Sequence, residues 1–214
     1  MQYWLLVTHS ASIFPIMTYM WSWKRRKDTA SIYMLIKFIF CVTFSLCYHT
    51  YHVHEVELED AHYDNWWLLD GYASASLIFT ATLYGLRVRE PQFYITSYTL
   101  ETGLLILYMF NNTWFIITWL LLVACSIILI IKWRTLMRYI IKFYFLSFFT
   151  LVCGITSTSL FCIAVQTEDD NIYITYHSLW HCFIFTTAGF SSILRYKLDE
   201  ELYPLNRREQ LDSI

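Results

Sequence analysis

Charged residues are scarce in this sequence, because Asp, Glu, Lys and Arg together make up only 15% of its 214 residues. Hydrophobic residues make up 57% and aromatic residues 20%, and the mean hydropathy is +0.42. A soluble domain of this length is far more polar. A helix needs about 20 mostly apolar residues to cross a bilayer, so the chain has room for at most about seven or eight spans and no separate soluble domain. We therefore expect an integral membrane protein.

The sequence also lacks the patterns of a processed, disulfide-linked secreted protein. Its six cysteines all lie in apolar stretches, where they act as small packing residues and not as a disulfide framework. The first apolar stretch runs into a basic cluster with no small-residue cleavage site. We therefore expect this stretch to be a retained span and not a removed signal peptide.

Seven apolar runs divide the chain, and each has about the length that a helix needs to cross hydrocarbon. They lie at about residues 3–23, 31–50, 66–86, 93–110, 114–131, 143–165 and 173–194. The period-two alternation of a membrane barrel is absent, so each span must satisfy its backbone groups as a helix. The pattern predicts an all-α fold, a seven-transmembrane helical bundle over residues 1–194, with a cytosolic tail at 195–214.

The basic residues give the direction of the predicted spans. Of the 15 Lys and Arg residues, all but Lys37 follow the first, third, fifth or seventh span. The other three connections contain no Lys or Arg, and two of them carry acidic residues such as Glu55, Asp64 and Asp169. Because basic loops stay in the cytosol, we expect an extracellular N-terminus and a cytosolic C-terminus. Lys37 lies near the cytosolic end of span two, where its side chain can reach the interface.

Histidines are confined to the outer half of the predicted bundle or to its first outer loop. They are His9, His49, His52, His54, His62, His177 and His181. His177 and His181 are one helical turn apart on one face of span seven, a spacing with which two imidazoles can share a metal ion. His49 has a similar depth at the outer end of span two, and Ser45 lies one turn deeper on the same face. Asp70 lies just inside span three, in the same leaflet.

Ionisable side chains within a span usually face the bundle interior and mark a site. The imidazoles of His49, His177 and His181 would leave one position of a tetrahedral zinc ion open to water, whose pKa the metal lowers. Asp70 can orient or deprotonate that water, and Ser45 can donate to a developing oxyanion. Other interpretations stay open. The histidine pair can be interfacial, Asp70 can cap a helix or pair with a histidine, and Ser45 can bond its own helix backbone.

Three further features have more than one interpretation. Glu101 lies in the middle of span four, where it contacts either a polar group in a cavity or another helix. Asn111-Asn112-Thr113 fits a glycosylation sequon, but it lies against the bilayer, where a glycan has little space. His52, His54 and His62 fit solvated loop residues, and a pH-sensitive or metal-binding outer loop is the alternative.

Three motifs carry a family resemblance: Ser45-Leu-Cys-Tyr-His49 in span two, Asp70 in span three and His177-Ser-Leu-Trp-His181 in span seven. They resemble the CREST superfamily of seven-helix membrane hydrolases, which includes alkaline ceramidases and adiponectin receptors. Within it, Tyr48-His49-Thr50, Leu69-Asp70-Gly71-Tyr72 and residues 173–181 are most similar to the branch of myomaker and the GPI-processing phospholipase-like proteins. The resemblance extends over nearly the whole chain.

The resemblance implies a zinc ion held by His49, His177 and His181 in a multi-pass plasma-membrane protein. The myomaker branch implies that this protein promotes cell–cell (myoblast) membrane fusion at the lipid-mixing stage. Expected partners are membrane lipids, a small fusogenic membrane-protein partner and a second copy in a homo-oligomer, and no nucleic acid is expected.

The hydrolytic relatives imply an alternative function. This is a zinc-dependent intramembrane lipid hydrolase, ceramidase-like or phospholipase-like, with Ser45 and Asp70 as catalytic residues and a zinc-bound water as nucleophile. Ser45 and Asp70 match these relatives, whereas the compact chain, without a large amino-terminal domain, matches myomaker. The tail at 195–214 lacks the cysteines that suit lipidation in myomaker. Whether the protein is an enzyme is therefore left open by the sequence.

Overall fold

The computed structural model describes residues 3–54, 60–110 and 114–202, and this part of the chain is helical with no β-strand. The predicted all-α fold is confirmed for these residues. Within these ranges a 3-10 helix at Thr8–Ser12 interrupts a series of nine α-helices. The α-helices are α1 (Tyr3–Val7), α2 (Ile13–Arg26), α3 (Thr29–His54), α4 (Asp60–Gly85), α5 (Gln92–Phe110), α6 (Trp114–Ile131), α7 (Trp133–Lys142), α8 (Tyr144–Gln166) and α9 (Asp170–Leu202).

Two of these helices are long and apolar enough to cross a membrane. They are Thr29–Thr50 within α3, with a mean hydropathy of 1.9, and α8, with a mean hydropathy of 2.0. Leu120–Ile131 of α6 and the following α7 are also apolar enough when taken together, but they are bent by 73°. The described residues thus contain two candidate spans, or three if this bent pair is one span. The finer prediction of seven spans with a fixed orientation stays a prediction.

The first predicted span is one helical stretch whose geometry tightens in the middle. It runs from Tyr3 to Arg26, with the 3-10 helix at Thr8–Ser12. Pro15 follows this segment; it has no N–H to donate, and its ring crowds the carbonyl of the residue four positions earlier, Ala11. The 3-10 helix before Pro15 is a tighter turn of the kind that often occurs where the α-helical hydrogen bonds are interrupted. His9 lies in this turn and is buried.

The hydrophobic core lies where α2, α3, α4 and α9 meet. Its buried side chains are mostly aromatic and aliphatic, among them Tyr19, Phe38, Phe79, Leu83 and Phe185. α9 contacts α2, α4 and α8, so it lies at the centre of this group of helices. This central position carries the two histidines of α9 into the interior of the bundle.

α9 is longer than the span predicted from the sequence. Its 33 residues make a helix of about 50 Å, whereas the hydrocarbon core of a bilayer is about 30 Å thick. The predicted span 173–194 covers its central part, and the predicted tail begins as a continuation of the same helix to Leu202. The rest of the tail, 203–214, lies outside the described residues. The sequon at 111–113 and the side chains of His52, His54 and His62 also lie outside them.

A charged pair joins three helices inside the bundle. Lys37 of α3 forms an ion pair with Glu101 of α5, and it donates hydrogen bonds to Ser76 at 2.6 Å and Thr80 at 3.0 Å in α4. The hydroxyl of Tyr33 donates to the same carboxylate at 3.1 Å. The structure thus corrects the interpretation that Lys37 reaches for the interface, because a counterion within the bundle holds it. Glu101 is explained by its contact with another helix.

A second charged cluster surrounds Asp199 near the end of α9. Asp199 forms an ion pair with Arg87, and its Oδ2 atom lies 3.5 Å from Nε of Arg195 and 4.0 Å from Nε of Arg26. Arg195 also donates to the carbonyl oxygen of Tyr84 at 2.9 Å and lies 3.8 Å from the centre of that ring. The ends of α2, α4 and α9 are therefore tied together by one buried acid.

Candidate metal centre

Four histidines from three segments meet at one end of the bundle. They are His9 from the 3-10 helix, His49 from α3, and His177 and His181 from α9. All four are buried, with exposed fractions of 3%, 0%, 6% and 1% respectively. Because imidazoles are polar and are rarely buried together without a partner, this cluster is the strongest candidate for a functional site.

The rings of His49, His177 and His181 form a nearly equilateral triangle. The distance between ring centres is 5.0 Å for His49 and His177, 4.8 Å for His177 and His181, and 5.1 Å for His49 and His181. Imidazoles that share a tetrahedral zinc ion have their nitrogens about 2 Å from the metal, which separates the ring centres by about 5 Å. The structure therefore brings together the three histidines that the sequence analysis selected.

His9 is a fourth member of the cluster that sequence reasoning did not assign to the site. Its ring centre lies 4.2 Å from that of His181 and 5.5 Å from that of His49. Among the described residues, the ligand nitrogens that lie within 4.8 Å of one another belong to His9, His49 and His181, whereas His177 is related to the cluster by the distances between ring centres. His9, His49 and His181 are therefore a second potential ligand set. The sequence shows the depth of His9 in the first span, but no spacing relates it to a histidine on another helix.

Hydrogen bonds fix the orientation of the His9 ring. Its Nδ1 atom donates to the carbonyl oxygen of Leu5 at 2.6 Å, so Nε2 is the nitrogen without a proton. Oγ of Ser45 lies 3.0 Å from Nε2, so its single hydroxyl proton is shared between two acceptors, this nitrogen and the carboxylate of Asp70. A metal ion on Nε2 would have to displace this hydroxyl. The contact between the two residues therefore favours His177 over His9 as the third ligand.

Asp70 of α4 is the acidic residue beside the cluster. It is 9% exposed, and the hydroxyls of Ser45 and Ser74 interact with its carboxylate. Its Oδ1 atom is buried and has no hydrogen-bond partner in the described part of the chain. A buried carboxylate oxygen without a donor is costly, so this atom is available to a bound molecule that carries a proton. Ser45 thus lies between Asp70 and His9.

The ring of His181 shows whether these residues fit a metal ion. Both of its nitrogens are buried, and neither has a hydrogen-bond partner among the residues that the structure describes. Neutral imidazoles each have one donor and one acceptor, and a crowded cluster of them satisfies these groups poorly. A cation bound by the unprotonated nitrogens would satisfy them, and zinc is often bound by three histidines. The residues present therefore fit a zinc ion, with His49 and His181 in either ligand set.

An apolar cavity of about 160 Å³ lies beside the cluster, between α3, α4 and α9. The part of its wall next to the cluster is formed by Cys41, Ser74 and Phe185. Each of these residues lies one helical turn from a residue of the site, namely Ser45, Asp70 and His181 respectively. The ring of Phe185 is stacked on that of His181, with 5.7 Å between the ring centres and 9° between the ring planes. An apolar segment in this cavity would end next to the histidines.

One family model matches this chain, and it covers residues 1–182. It describes proteins of unknown function, DUF3522. The chain belongs to the DUF3522 family. All four histidines, Ser45 and Asp70 lie within the DUF3522 match, so the whole candidate site is part of the family region. No curated protein matches the chain. Membership of DUF3522 assigns no chemistry to the site.

Proposed function

We propose that this DUF3522 protein is a seven-span plasma-membrane protein with the histidine cluster in the outer leaflet. The positions of its charges support the proposal. His49 and Thr29 of α3 are about 30 Å apart, and His177 and Arg195 of α9 are about 27 Å apart, close to the thickness of the hydrocarbon core. The Arg residues around Asp199 are thus one bilayer thickness from the histidines, and basic residues favour the cytosolic side.

We further propose that the protein is a zinc-dependent hydrolase of a lipid ester or amide bond, ceramidase-like or phospholipase-like. The observation that carries this proposal is the arrangement of the site. Buried imidazoles that fit a zinc ion lie beside a hydroxyl, an apolar cavity and a carboxylate, one oxygen of which has no partner among the described residues. Such a site suits a substrate with a polar bond at the end of an apolar chain. A purely structural metal would need neither Asp70 nor the cavity.

Each residue has a defined role in this hydrolysis. His49 and His181, with His177 as the third ligand, would hold the zinc ion, which when bound lowers the pKa of water and polarises a carbonyl group. Asp70 accepts a proton on Oδ1 and returns it to the leaving group. Ser45 turns its one hydroxyl proton away from His9 and Asp70 and donates it in a hydrogen bond to the carbonyl oxygen as negative charge develops there. His9 positions the Ser45 hydroxyl.

A second candidate function is the promotion of cell–cell (myoblast) fusion at the lipid-mixing stage. The similarity of Tyr48-His49-Thr50 and of residues 173–181 to the myomaker branch favours it. In this hypothesis the zinc ion fixes α3 to α9, and the protein acts with membrane lipids, a small fusogenic membrane-protein partner or a second copy. Ser45 and Asp70 are then dispensable.

Two variants distinguish the two functions. We expect wild-type protein to release fatty acid from a panel of ester-linked and amide-linked lipids, and both Asp70→Asn and His181→Ala to abolish the release. If fusion is the function, mixing of expressing cells is lost with His181→Ala and kept with Asp70→Asn. Glu168→Gln changes an exposed acid and is the matched control, with wild-type behaviour expected in both assays. If the wild type neither releases fatty acid nor promotes the mixing of cells, both hypotheses are contradicted.

A further inference from the structure

α7 is a ten-residue helix that turns sharply away from the apolar helix before it. Its axis is bent by 73° from that of Leu120–Ile131, and Lys132 separates the two helices. If α6 crosses the membrane, a helix that departs by this angle runs nearly parallel to the membrane plane. Its position in the chain places it at the basic, cytosolic ends of the proposed spans.

One side of α7 packs on the bundle and fixes the orientation of the helix. Tyr139 is 5% exposed, and its hydroxyl donates to the carbonyl oxygen of Gly85 at 2.6 Å. The ring packs against Leu194 and Leu198 at the end of α9. α7 is therefore held against the cytosolic ends of α4 and α9.

The side next to Tyr139 is apolar and uncovered by the described part of the chain. Its side chains are between 38% and 72% exposed, and they are Trp133, Met137, Ile140 and Ile141. At 100° per residue they occupy one continuous arc of the helix. A helix with such an arc, parallel to the membrane, buries it at the boundary between headgroups and acyl chains.

The third side of α7 is basic. Arg134 and Arg138 are one turn apart, both are exposed, and neither forms an ion pair in the part of the chain that the structure describes. Lys142 lies on the same side, but it pairs with Glu201. The arginines around Asp199 are paired with that acid. Two guanidinium groups thus remain beside the apolar arc with no counterion among the described residues.

We propose that α7 is an interfacial helix that binds anionic phospholipids of the phosphatidylserine class in the cytosolic leaflet through Arg134 and Arg138. The apolar arc sets the depth of the helix, and this depth places the guanidinium groups at the level of the headgroups. Guanidinium forms paired hydrogen bonds with phosphate and carboxylate oxygens, which are the groups that phosphatidylserine presents. The inference rests on the proposed orientation and is independent of zinc and of hydrolysis.

Lipid-dependent thermal stability of the full chain in neutral detergent tests this binding. A ligand that binds the folded protein raises the unfolding midpoint by mass action. We expect dioleoyl phosphatidylserine to raise the midpoint by about 2–4 °C and phosphatidylcholine to leave it unchanged. The double variant Arg134→Gln/Arg138→Gln is expected to bind phosphatidylserine about 30-fold more weakly and to lose the shift.

The matched control is Lys24→Gln/Arg25→Gln, which removes the same charge from two exposed residues at the end of α2. We expect this variant to keep the phosphatidylserine shift. If both double variants lose it equally, the effect is one of net charge and the assignment to α7 is overturned. An equal shift with glycerophosphoserine or inorganic phosphate would also overturn it, because the site would then recognise a soluble anion and not a lipid.

A labelling experiment separates this inference from the proposed orientation. Arg138→Cys in intact cells is treated with a membrane-impermeant maleimide, and wild-type protein gives the background from the native cysteines. Labelling above background only after permeabilisation is expected. Labelling in intact cells would overturn both the orientation and the cytosolic lipid site. Labelling only after permeabilisation, together with no phosphatidylserine shift in the wild type, would overturn the lipid site alone.

Discussion

Nε2 of His9 lies 3.0 Å from Oγ of Ser45, and this contact ties the first helical stretch to the α3 residue one turn from His49. The bond occupies the only His9 nitrogen that is free to bind a metal, because Nδ1 donates to Leu5. His9 is therefore expected to position the site from outside the ligand set. Substitution of His9 should therefore differ in its effect on zinc binding from substitution of His49, His177 or His181.

Zinc content distinguishes the ligands from their neighbour. We expect about one zinc ion per chain in detergent-purified wild-type protein, and its loss in His49→Ala, His177→Ala and His181→Ala, since each removes one of three ligands. His9→Ala removes only an orienting contact, which typically weakens metal affinity about 10–100-fold, so zinc should remain until a chelator is added. Elemental analysis before and after treatment with a mild chelator measures the zinc content of each protein.

The control for the zinc measurement is Leu179→Ala. Leu179 lies between the two histidines of α9 in sequence, but it is 42% exposed. This variant should keep its zinc, which would show that α9 tolerates a substitution at this depth. Retention of zinc by His177→Ala together with its loss from His9→Ala would make His9 the third ligand and contradict the prediction.

Ser45→Ala tests the role of the hydroxyl apart from that of the metal. The variant should keep its zinc, because no ligand is changed. Its rate of fatty-acid release should fall by about 10²- to 10³-fold if Ser45 donates to the developing oxyanion. Thr43→Ala is the matched control, since Thr43 is exposed and its hydroxyl donates to the carbonyl oxygen of Ile39 in its own helix at 2.8 Å. Equal rates for the two variants would rule out a catalytic role for Ser45.

Relationships within one helix could be predicted from the sequence. Lys37, Cys41, Ser45 and His49 recur at every fourth position, so a helix places them on one face, and the structure shows them on the inner face of α3. The spacing of His177 and His181 predicts for the same reason that both lie on one face of α9. Helical periodicity is a local property, and it needs no knowledge of how the helices pack.

Relationships between helices could not be predicted in this way. The contact of His9 with Ser45 depends on the tight turn before Pro15 and on the packing of the first helical stretch against α3. The pairing of Lys37 with Glu101 depends on which faces of α3 and α5 lie together. In a membrane bundle the lipid-facing and buried surfaces are both apolar, so the sequence gives little information about these faces.

Removal of one charge of the Lys37–Glu101 ion pair should destabilise the protein more than removal of both charges. Lys37→Met leaves the Glu101 carboxylate without its counterion at a site where each side chain is only 15% exposed, and it should destabilise the protein by about 3 kcal/mol. Lys37→Met/Glu101→Gln removes both charges and should recover most of this loss. Unfolding in detergent measures both. Lys24→Met, at an exposed site, is the control, and equal losses in the single and double variants would contradict the coupling.

The packing of α2 on α9 depends on one glycine, Gly189. A Cβ atom at Gly189 would overlap the ring of Phe14, whereas a Cβ atom at Gly103 in α5 would meet no atom of another described helix within 4 Å. Phe14 also packs edge-on against Phe190, with 5.4 Å between the ring centres, which limits how far its ring can move. Gly189→Ala should therefore destabilise the protein by about 1–3 kcal/mol.

Gly103→Ala is the matched control for this substitution. It should be neutral or stabilise the protein by about 0.5–1 kcal/mol, because alanine loses less backbone freedom than glycine when a helix forms. In Phe14→Ala the space for a Cβ atom at Gly189 is open, so adding Gly189→Ala to it should cost much less than in the wild type. Unfolding midpoints of the four proteins give the coupling. If Gly189→Ala costs the same with and without the Phe14 ring, α2 and α9 are not packed at this point.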